Sequence, residues 1–180
     1  MLGRIVGAGW CPLRAIMTDY VFHPLSRSDL PLIGAWLHVP HVRAAFGDPD
    51  EWMTEISANL SSSWVRHFRA DLDLSPAGFV QFYDTSLAPH GTWSAQPRGS
   101  FGIDFFLGDA ALLNQGNGTR LLRQFGAFVA HATRATRLIL DPDPSNLPSI
   151  RAAQSAGFIR DPSNGLWVKE IASGGRSRSP

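Results

Sequence analysis

Residues 112–123 read LLNQGNGTRLLR, with Gly116 and Gly118 one residue apart just ahead of an amphipathic stretch. That spelling lets a backbone approach a ligand closely with several N–H groups pointing one way. A helix starting there adds the positive end of its dipole, so an anion is the natural occupant. Two nucleotide motifs are excluded by spelling. No lysine follows Gly118 as a P-loop requires, and Leu121 stands where a dinucleotide fingerprint needs a third small residue. Taken alone, the loop suits a plain tight turn better than a ligand site. A second candidate lies upstream, where Asp104 sits between Ile103 and Phe105 in FGIDFFLG. A carboxylate in an aromatic strand is costly unless it is used or paired, for instance with Arg98. Asp141 closes TRLILD, but an aspartate before proline is also ordinary turn chemistry.

The elements that must position these groups are legible in outline. DYVFHPL has the β-branched and aromatic character of a first strand, shortened by Pro24. Ser28 or Asp29 caps a helix through LPLIGAWLHV, and DPDEWMTEISANL carries a second helix with an acidic first turn. SWVRHFRADLD and AGFVQFYD alternate as two strands, with LSPAG as turn material. FGIDFFLG is a short strand. Leu121, Leu122, Phe125, Phe128 and Val129 then form one helical stripe, which reads as core packing. TRLILD is a near-continuous apolar run, the mark of a buried strand. SNLPSIRAAQSAG gives a short helix capped by Ser145 or Asn146 and ended by Gly157, and LWVKEI is the last strand. The order strand, glycine loop, helix, strand, helix within a strand-rich chain predicts a mixed α/β layer with at least one crossover.

At 180 residues, with 44% hydrophobic and 17% charged, the chain reads as one globular domain spanning 17–171. Residues 1–16 read as an extension outside that domain, and 172–180 as a solvated tail. The formal net charge of +1 argues against a nucleic-acid partner. No apolar run approaches the ~20 residues that cross a bilayer, so no membrane partner is expected. A single cysteine, Cys11, suits a cytoplasmic setting. His38 and His41 have helical metal-ligand spacing, but nothing completes the set, so no metal is expected. The chain is expected as a monomer or homodimer.

Together, GID at 102–104, QGNGT at 115–119 and DPDPSNLPSIRAAQSAGF at 141–158 resemble the GNAT superfamily of acyl-CoA-dependent N-acyltransferases, and within it the aminoglycoside 6′-N-acetyltransferases. The similarity is dense from Gly102 to Phe158 and thinner before, where Trp36-Leu37, His41-Val42 and the tryptophan of GTWSAQP echo the family. It implies a central, mostly antiparallel sheet with a splayed parallel strand pair, FGIDFFLG and TRLILD, flanked by helices. It also implies acetyl-CoA as cosubstrate. The backbone of Gln115, Gly116, Asn117, Gly118 and Thr119, with Arg120 nearby, would cradle the pyrophosphate. Pantetheine would lie along Phe105, Phe106 and Leu107 as an added strand, and Asn146 would bond it.

The resemblance further implies direct attack by a primary amine in a ternary complex. Keeping an amine of pKa near 10 neutral at pH 7 costs about 4 kcal/mol, so a base is needed. Asp104 matches the residue assigned as base or amine ligand, and Asp141 a residue that binds the cationic substrate. Phe105 or Phe106 N–H would stabilise the oxyanion, and Trp93 would stack on a substrate ring or serve as a core lid. An amino sugar, a peptide or protein amine and a polyamine remain open as acceptors, and so does a non-catalytic acyl-CoA sensor. Asp48, Asp50, Glu51 and Glu55 suit a cationic acceptor or simply a solvated helix face. Two departures stand out. Ala153 occupies the place of the family's thiol-protonating tyrosine, leaving that role to Tyr83, to water or to nothing. AAF at 44–46 replaces a tryptophan pair.

Overall fold

The computed structural model describes residues 19–89 and 95–172. The expected segments 1–16 and most of 172–180 therefore lie outside the described residues, as does Trp93. The strands are β1 (Val21–Pro24), β2 (Val65–Leu72), β3 (Ser75–Asp84), β4 (Ser100–Leu107), β5 (Arg137–Leu140), β6 (Ile159–Arg160) and β7 (Trp167–Glu170). The helices are α1 (Leu30–Leu37), α2 (Pro40–Phe46), α3 (Pro49–Asn59), α4 (Asn117–Thr133) and α5 (Leu147–Ser155). All seven strands form one sheet in the order β1-β2-β3-β4-β5-β7-β6, antiparallel except at β4–β5. This is the mixed α/β layer expected from the residues, with the one parallel pair that the resemblance implied.

Three boundaries differ from the expected ones. The helix expected through His38-Val39 stops at Leu37, and α2 begins at Pro40. Proline forces its predecessor out of the helical region, and Val39 is extended at φ −69°, ψ 144°. Pro40 then opens the next helix, where its missing N–H costs nothing. The β2–β3 turn is Asp73-Leu74, not LSPAG. Both residues adopt the left-handed conformation of a tight hairpin, and pairing resumes at Leu72↔Ser75. Gly78, shared by the expected turn LSPAG and the expected strand AGFVQFYD, lies inside β3, where a Cβ would sit 2.3 Å from the Phe106 carbonyl oxygen. The two-residue β6 was too short to carry a sequence pattern.

The pleat sorts the core into two clusters. Phe68, Val80, Phe82, Ile103 and Leu107 face Leu121, Leu122, Phe125 and Val129 of α4. Phe79 and Phe106, on the other face, meet Ile33, Leu37, Val42 and Ile56 from α1, α2 and α3. On that second face Tyr83 lies across Gly102, its cross-strand partner, where an added Cβ would stand 2.1 Å from the phenol Cζ. Gly102→Ala is expected to cost about 1–3 kcal/mol through this overlap, visible as a lowered thermal unfolding midpoint. Among the described residues no helix is long and apolar enough to cross a membrane.

Candidate active site

The parallel pairing of β4 with β5 is brief: Ser100, Phe101 and Gly102 match Arg137, Leu138 and Ile139, and then the strands part. β4 runs on alone on that side to Leu107. Which of its amides face the gap follows from the alternation of strand hydrogen bonds. Gly108 N–H bonds Ala77 C=O on the β3 side, whereas Gly99 C=O accepts from Thr136 and Arg137 on the β5 side. Ile103, Phe105 and Leu107 therefore present their backbone to the gap. Phe106 does not. Its backbone turns to β3, so of the Phe105 and Phe106 amides only Phe105 N–H faces the gap. The Leu107 carbonyl already accepts from His41 Nε2 at 2.8 Å. His38 Nδ1 bonds a different backbone group, Gly34 C=O, so the two rings do not converge.

At the far side of the gap α4 begins. Gly116 takes the left-handed conformation, φ 78°, as N-cap, and no side chain caps this end. Three features make an anion cradle: uncapped N–H groups, the helix dipole and a glycine at the second helical position. A Cβ on Gly118 would meet only the Phe105 ring edge at 3.8 Å, so no protein atom demands glycine there. Gly116, Gly118 and Thr119 border the cavity. The side chains of the neighbouring loop residues turn elsewhere. Gln115 bonds Ala111 C=O, Asn117 is buried against Leu112 C=O, and Arg120 donates to Asn117 Oδ1 at 2.8 Å while lying over the Tyr20 ring. Arg120 is thus engaged within the fold rather than extended into the cavity.

α5 supplies the opposite wall. Asn146, the expected alternative to Ser145, is the cap: its Oδ1 accepts from Ser149 N–H at 3.1 Å. That bond fixes the amide's orientation and leaves Nδ2 to donate outward. Ser149, Arg151, Ala152 and Ser155 border the cavity. Ala153 is wholly buried in the core, so the position where a tyrosine was expected carries no proton donor.

The cavity enclosed by these elements measures about 600 Å³ and also touches His41, Phe46, Trp52, Asp104, Phe105, Phe106, Leu107 and Asp141. It links the α4 cradle with the α2–α3 side of the sheet. Phe46 and Trp52, 4.9 Å apart edge to face, form an aromatic wall there, and the Trp52 indole N–H is anchored on Phe46 C=O. The AAF departure thus leaves an aromatic lining, because α3 contributes a tryptophan of its own.

Asp104 is the carboxylate of this space. Its Oδ2 accepts from Gln81 Nε2 at 2.8 Å, not from Arg98. Burial pushes its pKa up to about 6; the Gln81 bond opposes that rise, and Glu55 and Asp141 add to it. Burial, then Asp104, Asp141 and Glu55, raise the Tyr83 phenol as well, making it a poor proton donor. Four groups from β3, β4, the end of β5 and α3 thus share one electrostatic neighbourhood. Gln81 was missed in the sequence although the signal that singled out Asp104, a polar residue in an apolar strand, applies to it equally.

The Acetyltransferase (GNAT) domain family matches residues 26–164 of the chain. An aminoglycoside N(6')-acetyltransferase type 1 from Klebsiella pneumoniae is 29% identical over 144 residues, covering 76% of this chain and 72% of that protein. Among solved structures, the aminoglycoside acetyltransferase AAC(6')-Ib in complex with coenzyme A and kanamycin superposes with a TM-score of 0.77 at 26% identity, over 89% of this chain and all (100%) of that one. The AAC(6')-Ib complex with paromomycin and acetyl-CoA gives 0.76 at 27% identity, over 89% of this chain and 98% of that one. With a splayed β4–β5 gap, a glycine-capped α4 and a family match over most of its length, the chain belongs to the GNAT acetyltransferases and is an acetyl-CoA-dependent N-acetyltransferase.

Proposed function

We propose that the protein acetylates a primary amine of an aminoglycoside-like amino sugar, with Asp104 as the base. The single observation that carries this is the Asp104 carboxylate, raised to about 6 by burial with Glu55 and Asp141 adding to the rise, in the cavity that it shares with Asp141 and that also reaches the α4 cradle. A base of that strength is ionised at pH 7 yet basic enough to take a proton from an ammonium. Asp141 and Glu55 attract and orient a substrate carrying several ammonium groups, and Phe46 and Trp52 offer faces to its rings. The aminoglycosides bound by the relatives named above fit that description.

When bound, acetyl-CoA supplies the thioester. Gly116, Gly118 and Thr119 N–H groups, with those of Gln115 and Asn117, meet its diphosphate. Ile103, Phe105 and Leu107 offer backbone edges to its amides, and Asn146 Nδ2 donates to it. Phe105 N–H then points at the oxygen that gains negative charge. With Ala153 in place of a phenol, thiol departure relies on the thiol's own pKa of about 8.5. Coenzyme release should therefore proceed with amino sugars at a kcat/KM at least tenfold above that with lysine peptides or spermidine. A steady-state comparison of these acceptors checks it, and equal or higher efficiency with peptides would reassign the acceptor.

A further inference from the structure

On the sheet face beneath α1, α2 and α3, a line of polar residues crosses the sheet beside Phe79 and Phe106. His67 on β2, Gln81 on β3 and Asp104 on β4 are successive cross-strand partners. His67 and Gln81 are 6% and 4% exposed, in the company of Phe79 and Phe106. Buried polar side chains in such surroundings cost free energy unless they are bonded to some purpose. The purpose is visible at one end of the line, where the Gln81 amide donates to Asp104 Oδ2.

From this geometry we infer that Gln81 is a positioning residue for the catalytic carboxylate: it ties down Oδ2 and leaves Oδ1 directed at the acceptor amine. The inference rests on the reading of Asp104 as the base. Register makes the contact specific, since strand pairing places the two side chains on one face at adjacent positions. The neutrality of the donor is the important chemistry. Elsewhere in the same sheet Arg69 holds carboxylates by charge, bonding Asp71 Oδ1 at 2.8 Å and Asp29 Oδ1 at 2.5 Å. Although burial works against it, Asp29 is held below the usual carboxylate range by Ser26 and Arg69. A cation at position 81 would likewise orient Asp104 but weaken it as a base. An amide orients without that penalty. His67 cannot substitute as a counter-charge, because burial and Arg66 push its pKa down to about 4.

The test uses the full chain with Gln81→Met, which keeps the side chain's length and removes the donor, and Gln81→Glu, which replaces it with a like charge. The groups facing Asp104 are Tyr83 on β3, Glu55 on α3, Asp141 after β5, His41 on α2 within the same cavity, and His67 beyond Gln81. All stay unchanged in both variants. Two readouts are taken: the acid limb of kcat/KM against pH, and the titration of Asp104 by NMR of carboxyl-labelled aspartate, assigned with Asp104→Asn. Gln81→Met is expected to move both upward by about one pH unit, a five- to tenfold loss of kcat/KM at pH 6. Gln81→Glu is expected to move them further, with acetyl-CoA affinity unchanged in both. A folded variant, judged by acetyl-CoA binding, whose limb and titration both stay at the wild-type position overturns the inference. The NMR arm separates the two readings. If no amine is turned over at all, the functional reading has failed while the Gln81–Asp104 coupling is still measured. Should one variant fail to bind acetyl-CoA, the other decides.

Discussion

Asp104→Asn is expected to lower kcat/KM by about 10²–10⁴-fold while making the protein harder to unfold at neutral pH. The two effects share one cause. The folded pKa of Asp104, about 6, stands above its ordinary value of 3.8, chiefly through burial. A group raised on folding contributes its full stability below the unfolded value and loses it as pH climbs through the folded one. Ionised Asp104 is therefore a strain on the fold at pH 7, on the order of 2–3 kcal/mol. Asparagine removes that strain and still accepts the Gln81 amide. Thermal unfolding from pH 3 to 8 should show a variant close to wild type at the acid end, a stability gap that opens between the unfolded value of 3.8 and the folded value of about 6, and a constant gap above about pH 7. A variant that loses stability at pH 7 would contradict the placement of this carboxylate.

Gly118→Glu is expected to weaken acetyl-CoA binding by at least 100-fold without unfolding the protein. The space at Gly118 is open but for a ring edge at 3.8 Å, and its backbone is not left-handed. A glutamate in the first turn of α4 suits the helix dipole and improves on glycine's helix propensity by about 0.5–1 kcal/mol. On the proposed reading, the same carboxylate would stand in the path of a diphosphate approaching the uncapped N–H groups. Calorimetric titration with acetyl-CoA beside thermal unfolding separates affinity from fold, and unchanged affinity would move the diphosphate elsewhere. Gly118→Ala, a smaller intrusion, should weaken binding only several-fold.

What the sequence made legible follows from how local each signal was. The α4 stripe of Leu121, Leu122, Phe125 and Val129 repeats over several turns, and each of those residues is buried. Asp104 in an apolar strand and the paired glycines before a helix were likewise readable because each breaks a local rule. The α1–α2 break was written in Pro40 but lost in the surrounding hydrophobic run. The hairpin at Asp73-Leu74 was hidden because a leucine occupies a left-handed position, while Pro76 and Gly78, the usual turn markers, lie in the strand. Site residues contributed by register escaped entirely. Gln81 and Asp104 are 23 positions apart in sequence, and only the pairing of β3 with β4 joins them. The engagement of Arg120 with Asn117 and Tyr20 is similarly tertiary. A basic residue after a glycine loop looks free to meet phosphate until an aromatic ring arrives from β1's approach.

The brevity of the β4–β5 pairing also bears on how the sheet avoids self-association. Its outer margins are blunt: β1 has four residues and ends in Pro24, and β6 has two. Such edges give a neighbouring chain little to zip onto. Ile103 and Phe105, by contrast, turn their backbone to the gap in the interior, walled by α5 and the start of α4. The cavity there, about 600 Å³, is of the size that small ligands occupy. The fold thus keeps its stickiest edge away from its own kind and offers it to a small molecule.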